Sequence, residues 1–187
     1  MNRSERIRSL VLTAAGAALI AVCSWITIPT TVPFTMQTFA IFFLLMLLGG
    51  MRALAAVCIY LLIGAAGVPV FSRFTSGIGV LFGNTGGYML GFLFICLLFM
   101  LAEKLPGKHL WVRIAAMLTG LAVCYAFGTL WFWYLYTKNT ESVGIWTVLG
   151  WCVFPFVIPD LVKMGLAVLL ARRVAPALSA SRTASSS

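Results

Sequence analysis

Hydrophobic residues in this chain fall into six runs, separated by short breaks that contain polar residues, glycine or proline. The runs cover about residues 8–28, 38–48, 53–66, 88–102, 114–136 and 145–170. A membrane-spanning helix needs about 20 mostly apolar residues, and short connections add a few more. The pattern therefore predicts an all-α integral membrane protein with six transmembrane helices.

Two of the breaks are unusually apolar for loops. Thr27–Gln37 holds two prolines and no charge, and Gly67–Gly87 is rich in glycine, which disfavours a regular helix in its first half. Irregular backbone at membrane depth is tolerated only where protein or water satisfies its polar groups. We therefore expect both segments to fold back over the helices as outer loops that cap a substrate site.

The two ends of the chain differ in character. The first run follows Arg3, Arg6 and Arg8, but it is too long for a signal-peptide core and no small-x-small cleavage site follows it. It is interpreted as a retained helix. The C-terminal end is basic and then rich in Ser and Ala, which is typical of disorder. The sequence predicts one membrane domain over residues 1–174 and a flexible cytoplasmic tail over 175–187.

Composition agrees with a membrane protein. The chain is 62% hydrophobic and 9% charged, with a mean hydropathy of +1.06. Soluble domains are roughly 45–50% apolar and about 25% charged. The net charge of +9 does not indicate a nucleic-acid partner, because the charges flank apolar runs instead of forming a stripe.

The positions of the basic residues predict the orientation of the chain. With six spans, one side holds ten of them: Arg3, Arg6, Arg8, Arg52, Lys104, Lys108, Arg113, Arg172, Arg173 and Arg182. The other side holds only Arg73 and Lys138. Because Lys and Arg accumulate on the cytoplasmic side, both termini are predicted to be cytoplasmic.

Motifs for catalysis and metal binding are absent from the sequence. The five cysteines are scattered and the single histidine is His109, so neither a metal site nor a disulfide framework is expected. The sequence contains no HExxH, no Gly-x-Ser-x-Gly and no ATP-binding P-loop. An enzyme is disfavoured, and no cofactor is expected.

One acid and one base interrupt the sixth run, in the segment FVIPDLVKMGL. Each charge near the bilayer centre costs roughly 2.5–3.5 kcal/mol. The i, i+3 spacing of Asp160 and Lys163 places both on one helix face, and Pro155 and Pro159 predict a kink beside them. The pair either neutralises itself for structural reasons or binds a ligand, and intramembrane ionisable residues favour the ligand role.

Two further features have a structural and a functional interpretation. Asn84, in FGNTGGY, could cap the fourth helix, contact a ligand, or do both, because a cap uses only part of the amide's hydrogen-bonding capacity. Ala14 and Ala18 form a small-x-x-x-small pair on the first helix. That pair serves either internal packing or docking of another membrane protein.

Four segments together resemble the BioY family: PTTVPFTMQTFAIFFLLMLLG, LLIGAAGVPVF, LFGNTGGYMLGF and FVIPDLVKMGLA. The resemblance extends from the first helix to Leu170. Proteins of that family are biotin-binding, substrate-specific (S) components of energy-coupling factor (ECF) transporters. The sequence departs from the family pattern in TIPTT and in SRFTSGIGVLFGN, where Arg73–Phe74 occupies a loop that is often richer in glycine.

The resemblance implies a multi-pass S component of a bacterial-type cytoplasmic membrane, with biotin as its transported ligand. It implies as partners a transmembrane coupling subunit and two ATP-binding subunits. Biotin contacts carry over to Asn84, Asp160 and Lys163, and docking on the coupling subunit carries over to Ala14 and Ala18.

The chemistry of biotin fits these residues. Asp160 and the Asn84 oxygen could accept from the two ureido N–H groups, and Lys163 could donate to the ureido carbonyl or, as a weaker alternative, to the tail carboxylate. Other tail contacts are expected from the outer loops or from Gln37, Arg73 and Tyr88. Aromatic walls for the apolar ring are expected from Phe34, Phe71 and Trp151. An S component for a thiamine- or riboflavin-type vitamin, or a non-transport membrane scaffold or enzyme, remains an alternative.

Overall fold

A computed structural model describes residues 3–29, 32–105, 109–139 and 143–184 of the chain. In these ranges the regular structure is helical, apart from one hairpin of two-residue strands. The helices are α1 Arg3–Trp25, α2 Gln37–Leu48, α3 Gly50–Ala65, α4 Ile78–Leu81, α5 Gly86–Ala102, α6 Leu110–Asn139, α7 Ile145–Cys152 and α8 Phe154–Ala184, with a 3₁₀ turn at Ser72–Phe74.

Every apolar run of the sequence is mainly helical in the structure, so the all-helical class is confirmed. Within the described ranges, three helical segments are long and apolar enough to cross a membrane: Arg3–Trp25, Leu110–Lys138 and Ile145–Pro176. Three shorter apolar helices, α2, α3 and α5, have 12, 16 and 17 residues. The chain is a helical membrane protein, and the number of six spans stays a prediction.

The last apolar run is divided in two. α7 ends at Cys152, Val153 takes non-helical angles (φ −123°, ψ −59°), and α8 begins at Phe154. The break lies two residues before Pro155, whose ring and missing N–H disrupt the hydrogen bond to the preceding turn. Pro159 lies inside α8 and does not end it.

Glycine forms the corner between α2 and α3. Gly49 has φ +85°, which a residue with a Cβ rarely adopts, and Gly50 lies so close to α5 that a Cβ would be 2.8 Å from the Met100 Cα. The Glu103 Oε2 atom accepts a hydrogen bond from the Gly50 N–H at 2.9 Å. The carboxylate at the end of α5 thus satisfies an otherwise unpaired donor at the start of α3.

α5 and α6 form the most extensive helix pair of the fold. A Cβ at Gly87 would be 2.4 Å from the Trp131 Cβ, and one at Gly91 would be 2.6 Å from the Cys124 Sγ. These glycines let the two backbones approach closely. The close approach places Tyr88 of α5 beside Thr129 of α6.

The first break of the sequence contains a hairpin that the sequence pattern does not predict. β1 (Thr27–Ile28) pairs antiparallel with β2 (Phe34–Thr35). Its prolines exclude a continuous helix, and β-branched and aromatic residues suit the short extended pieces. The Met36 N–H donates to the Cys23 and Ile26 carbonyls, which ties the end of the hairpin to the end of α1.

α8 continues to Ala184, beyond the predicted boundary at residue 174. The helix therefore extends into the segment that the sequence predicts to be a flexible tail. The division of the chain into a domain over 1–174 and a tail over 175–187 stays a prediction.

Candidate ligand-binding site

A cavity of about 270 Å³ lies among the hairpin, the segment after α3, and helices α2, α5, α6, α7 and α8. Its size is close to the lower end of the roughly 300–1,000 Å³ that small-molecule sites occupy. Both apolar breaks of the sequence contribute to its lining. The lining residues are Val32, Pro33, Thr35, Gln37, Thr38, Phe71, Ser72, Arg73, Thr75, Val80, Thr85, Tyr88, Met89, Phe92, Leu121, Cys124, Tyr125, Cys152, Phe156, Asp160 and Lys163.

Asp160 is 3% exposed and accepts hydrogen bonds from three different helices. Its Oδ1 atom accepts from the Lys163 ammonium of α8 and from the Thr38 hydroxyl of α2, each at 2.8 Å. Its Oδ2 atom accepts from the Tyr125 hydroxyl of α6 at 2.5 Å. We call Thr38, Tyr125, Asp160 and Lys163 the charge cluster.

Lys163 is 5% exposed and equally well satisfied. Besides the ion pair with Asp160, its Nζ donates to the Thr35 carbonyl at 2.7 Å and to the Thr38 hydroxyl at 3.3 Å. The same Nζ lies 3.8 Å from the centre of the Phe34 ring, which adds a cation–π contact. The predicted i, i+3 pairing is confirmed.

The charge cluster limits how a ligand can bind. A carboxylate has about four lone-pair positions, and Asp160 uses three, so one position remains at Oδ2. The Lys163 ammonium has three N–H donors, and three acceptors already receive them. A ligand can therefore accept from Lys163 only by replacing a partner, and the longest bond is the one to Thr38.

Gln37 lies at the cavity, but its amide is engaged within the protein. The amide nitrogen donates to the Tyr60 hydroxyl at 2.5 Å, and its oxygen accepts from the Thr35 hydroxyl at 2.8 Å. The Thr35 carbonyl accepts a hydrogen bond from Lys163. Gln37, which accepts from the Thr35 hydroxyl, therefore contacts the charge cluster indirectly, through Thr35. Its predicted contact with a ligand tail stays a prediction.

Tyr88 and Asn84 occupy different environments. The Tyr88 hydroxyl shares a hydrogen bond of 2.9 Å with Thr129 and the residue lines the cavity. Asn84 is exposed in the turn before α5 and is not among the lining residues, whereas its neighbour Thr85 is. Thr85 also holds the N-cap position of α5, so Asn84 is not the cap. The ligand contacts predicted for both residues stay predictions.

Aromatic rings flank the site in two places. Phe34 contacts Lys163, and its ring centre lies 5.8 Å from that of Phe156. It thus packs against the charge cluster but is not among the residues that line the cavity. Phe71 lines the cavity and packs edge-on against Tyr60 at 5.5 Å. Trp151 packs against Tyr136 and is not among the lining residues.

Arg73 belongs to the exposed side of the cavity. It lies in Phe71–Thr75, which we call the cavity loop, and it lines the cavity while remaining exposed. Its backbone is left-handed (φ 56°, ψ 32°), and Phe74 follows with φ 57°. Among the residues that the structure describes, no hydrogen bond or ion pair engages the Arg73 guanidinium.

Thr35, Thr38 and Tyr125 are site residues that sequence reasoning missed. A signal for Tyr125 exists, since Tyr125 and Thr129 are polar residues four apart in an apolar helix and so share one face. Thr38 directly follows Gln37 in a segment that carries the family resemblance. Pairing of either residue with Asp160 depends on helix packing and has no local signal.

Ala14 and Ala18 lie exposed on α1, while Ala17 and Ala21 are buried in the helix packing. The two small-residue pairs of α1 therefore have different environments. The exposed pair leaves room for another helix to approach, and its docking role stays a prediction.

The fold is shared with a solved transporter component. The structure matches the "Crystal structure at 2.1 A of the S-component for biotin from an ECF-type ABC transporter" with a TM-score of 0.80 over 93% of this chain and 94% of that chain. The identity is 23%, so this match establishes the fold of an S component.

The family follows from the sequence comparisons. The profile of the BioY family matches residues 1–180, and the chain belongs to this family. It is 37% identical over 171 residues to the biotin transporter BioY of Thermotoga maritima, covering 90% of this chain and 96% of that one. It is 34% identical over 178 residues to the biotin transporter BioY2 of Lactococcus lactis subsp. cremoris, covering 95% of each.

Proposed function

We propose that this chain is the biotin-binding S component of an ECF-type importer and binds biotin in the cavity described above. The observation that carries the proposal is the charge cluster: a buried acid and a buried base, held by three helices, line one small-molecule cavity. The family membership and the names of the relatives supply the ligand. The role is that of a transport subunit, not of an enzyme.

The ureido ring of biotin fits the charge cluster chemically. A ureido N–H donates to the remaining lone pair of Asp160 Oδ2, and the ureido carbonyl accepts from Lys163 in place of Thr38. Thr38 keeps its bond to Oδ1 in this arrangement. The contact of Asn84 with the second N–H requires the turn before α5 to move towards the cavity.

The proposal includes the predicted topology. Six spans with both termini in the cytoplasm place the chain in a bacterial-type cytoplasmic membrane. The strong segregation of Lys and Arg supports this orientation. Labelling of single cysteines engineered near Arg3 and near Lys138 with an impermeant reagent tests it, because the two sites should react from opposite sides.

The proposed partners are a transmembrane coupling subunit and two ATP-binding subunits. The sequence carries no P-loop of its own, and the solved structure with the same fold is named as part of an ECF-type ABC transporter. The exposed Ala14 and Ala18 pair on α1 is the proposed docking site.

Calorimetric titration of the purified full chain with biotin, and with thiamine and riboflavin as controls, tests the ligand. We expect stoichiometric binding of biotin alone. Binding of another vitamin instead would assign the S component to that vitamin. Absence of heat with all three, from a folded sample, would contradict the proposal.

A second experiment tests the docking site. Ala14→Leu with Ala18→Leu should abolish biotin uptake with the coupling subunits present and leave biotin binding to the purified chain unchanged. Ala126→Leu, at an exposed alanine of α6, is the matched control and should preserve uptake. Equal uptake in both variants would remove the docking role from this face.

A further inference from the structure

The charges that line the cavity do not balance. Within the described ranges, the charged lining residues are Arg73, Asp160 and Lys163. Asp160 and Lys163 neutralise each other through their ion pair at 2.8 Å. Arg73 therefore leaves one positive charge in excess, and a cavity with this balance favours an anionic ligand over a neutral one.

Three other candidates for an anionic group are already engaged within the protein. Lys163 donates to three acceptors, the Gln37 amide nitrogen donates to Tyr60, and the Tyr88 hydroxyl pairs with Thr129. The Arg73 guanidinium has five N–H donors in a planar fork that matches a carboxylate, and the structure engages none of them within its described part. Arg73 is thus the lining residue best suited to a carboxylate.

The backbone at this position is unfavourable for an arginine. A left-handed conformation costs a residue with a Cβ roughly 1–2 kcal/mol relative to the right-handed one, whereas glycine adopts it freely. Arg73 and Phe74 both adopt it, with φ 56° and 57°. Strain that persists beside a ligand cavity is a sign that the side chain contributes to function.

The surrounding contacts hold the cavity loop in this conformation. The Phe74 ring stacks on Trp25 at a centre distance of 5.0 Å, and the Trp25 indole N–H donates to the Pro69 carbonyl at 3.1 Å. The Ser72 hydroxyl shares a hydrogen bond of 2.8 Å with Thr27 of the hairpin. The loop is therefore fixed against α1 and the hairpin, and Arg73 is presented to the cavity from a defined backbone.

We infer that Arg73 binds the carboxylate of the ligand and makes the site selective for a free carboxylic acid over its amide or ester. This inference rests on the proposed function and specifies it, because biotin carries its carboxylate at the end opposite the ureido ring. The charge cluster then recognises the ring and Arg73 recognises the ionised tail.

The test compares biotin with biotinamide, which replaces the carboxylate by a neutral amide and keeps the rest of the ligand. The full-length protein is titrated with both in detergent as wild type, Arg73→Gly and Arg73→Gln. Arg73→Gly removes the charge and relieves the strain, whereas Arg73→Gln removes the charge and keeps a side chain at the left-handed position. Arg172→Gln, an exposed charge change on α8, is the control.

In the wild type and in Arg172→Gln, we expect the affinity for biotin to exceed the affinity for biotinamide by roughly fivefold to tenfold. This ratio lies between the contribution of an exposed ion pair and that of a buried hydrogen bond to a charged group. Both Arg73 variants should lose this preference, and only Arg73→Gly should unfold at a higher temperature than the wild type. The wild-type preference should also decrease as salt is added, because Arg73 is exposed.

Two results would overturn the inference. An unchanged preference in both Arg73 variants would show that another group binds the carboxylate. An equal loss of affinity for biotin and biotinamide would show that Arg73 acts through the structure of the loop. Failure of the wild type to bind either ligand would instead contradict the proposed function, so the two failures are distinguishable.

Discussion

The charge cluster and the cavity loop line the same cavity but differ in burial and in how far their polar groups are paired. The charge cluster is buried, its ionised groups are paired, and nearly all of its hydrogen-bonding capacity is used within the protein. The cavity loop is largely exposed, strained at two residues, and carries a guanidinium without a partner in the described part of the chain.

This difference predicts how substitutions act. In the charge cluster, stability and ligand binding depend on the same hydrogen bonds, because a buried polar group is expensive when it loses its partner. In the cavity loop, the unpartnered side chain adds little to stability and is available for the ligand. Substitutions in the cluster should therefore reduce stability and affinity together, and substitutions in the loop should mainly change selectivity.

The largest effect is expected from Asp160→Asn, which removes the negative charge opposite Lys163. Breaking a buried ion pair from one side costs about 3–5 kcal/mol, because the remaining charge is left uncompensated. We expect a loss of stability of that order and a loss of biotin affinity of at least about a hundredfold. Thermal unfolding and calorimetric titration measure the two.

Glu103→Gln is the matched control, since it makes the same chemical change at a carboxylate that contacts Gly50 instead of the cavity. The stability of this variant should decrease only by the value of one helix cap, about 1 kcal/mol, and its biotin affinity should stay at the wild-type value. Wild-type affinity in Asp160→Asn would remove Asp160 from the site.

Tyr125→Phe should have a smaller effect on the charge cluster. It removes one donor, at 2.5 Å from Asp160 Oδ2, and keeps both charges. A hydrogen bond to a charged group is worth about 1.5–3 kcal/mol, so we expect a stability loss in this range and about a tenfold loss of affinity. Tyr134→Phe, at an exposed tyrosine of the same helix, should change neither quantity. Equal results for the two variants would contradict a role of Tyr125 in orienting Asp160.

Gly64→Ala should displace the cavity loop through its contact with Phe71. A Cβ at Gly64 would be 2.1 Å from the Phe71 ring, so Phe71 and the loop it begins must shift. Overpacking of this kind costs about 1–3 kcal/mol, and we expect a reduced preference for biotin over biotinamide. Gly165→Ala, where a Cβ meets open space on α8, should stabilise the protein by about 0.5–1 kcal/mol and preserve the preference. If Gly64→Ala kept the wild-type preference for biotin over biotinamide, the cavity loop would tolerate the shift and this prediction would be wrong.

The smallest effect is expected from Trp25→Leu, which removes the ring that stacks on Phe74 and the exposed indole N–H that donates to the Pro69 carbonyl. An aromatic pair adds about 0.5–1.5 kcal/mol beyond its buried area, and this pair is at the low end because Trp25 is 39% and Phe74 63% exposed. We expect about a twofold decrease in the preference for biotin over biotinamide, measured by titration. Trp146→Leu, at a tryptophan that is 76% exposed on α7, should leave the preference unchanged.

Several features of the fold and the site were predictable because their causes are local. Apolar runs, helix breaks at Gly49 and before Pro155, and the i, i+3 relation of Asp160 and Lys163 depend on neighbouring residues and on helix geometry. Residues of both apolar breaks line the cavity, while the role of these breaks as outer loops that cap a substrate site stays a prediction from the need to satisfy irregular backbone in an apolar setting.

Other features could be decided only by the tertiary structure. Thr38 meets Asp160 across 122 residues of sequence, and Tyr125 meets it from a third helix, because helix packing brings these side chains together. The same packing engages the Gln37 amide with Tyr60 and leaves Asn84 exposed outside the lining. Local sequence thus determined the helices and the charged pair, while long-range packing decided which polar groups are already satisfied and which remain available to a ligand.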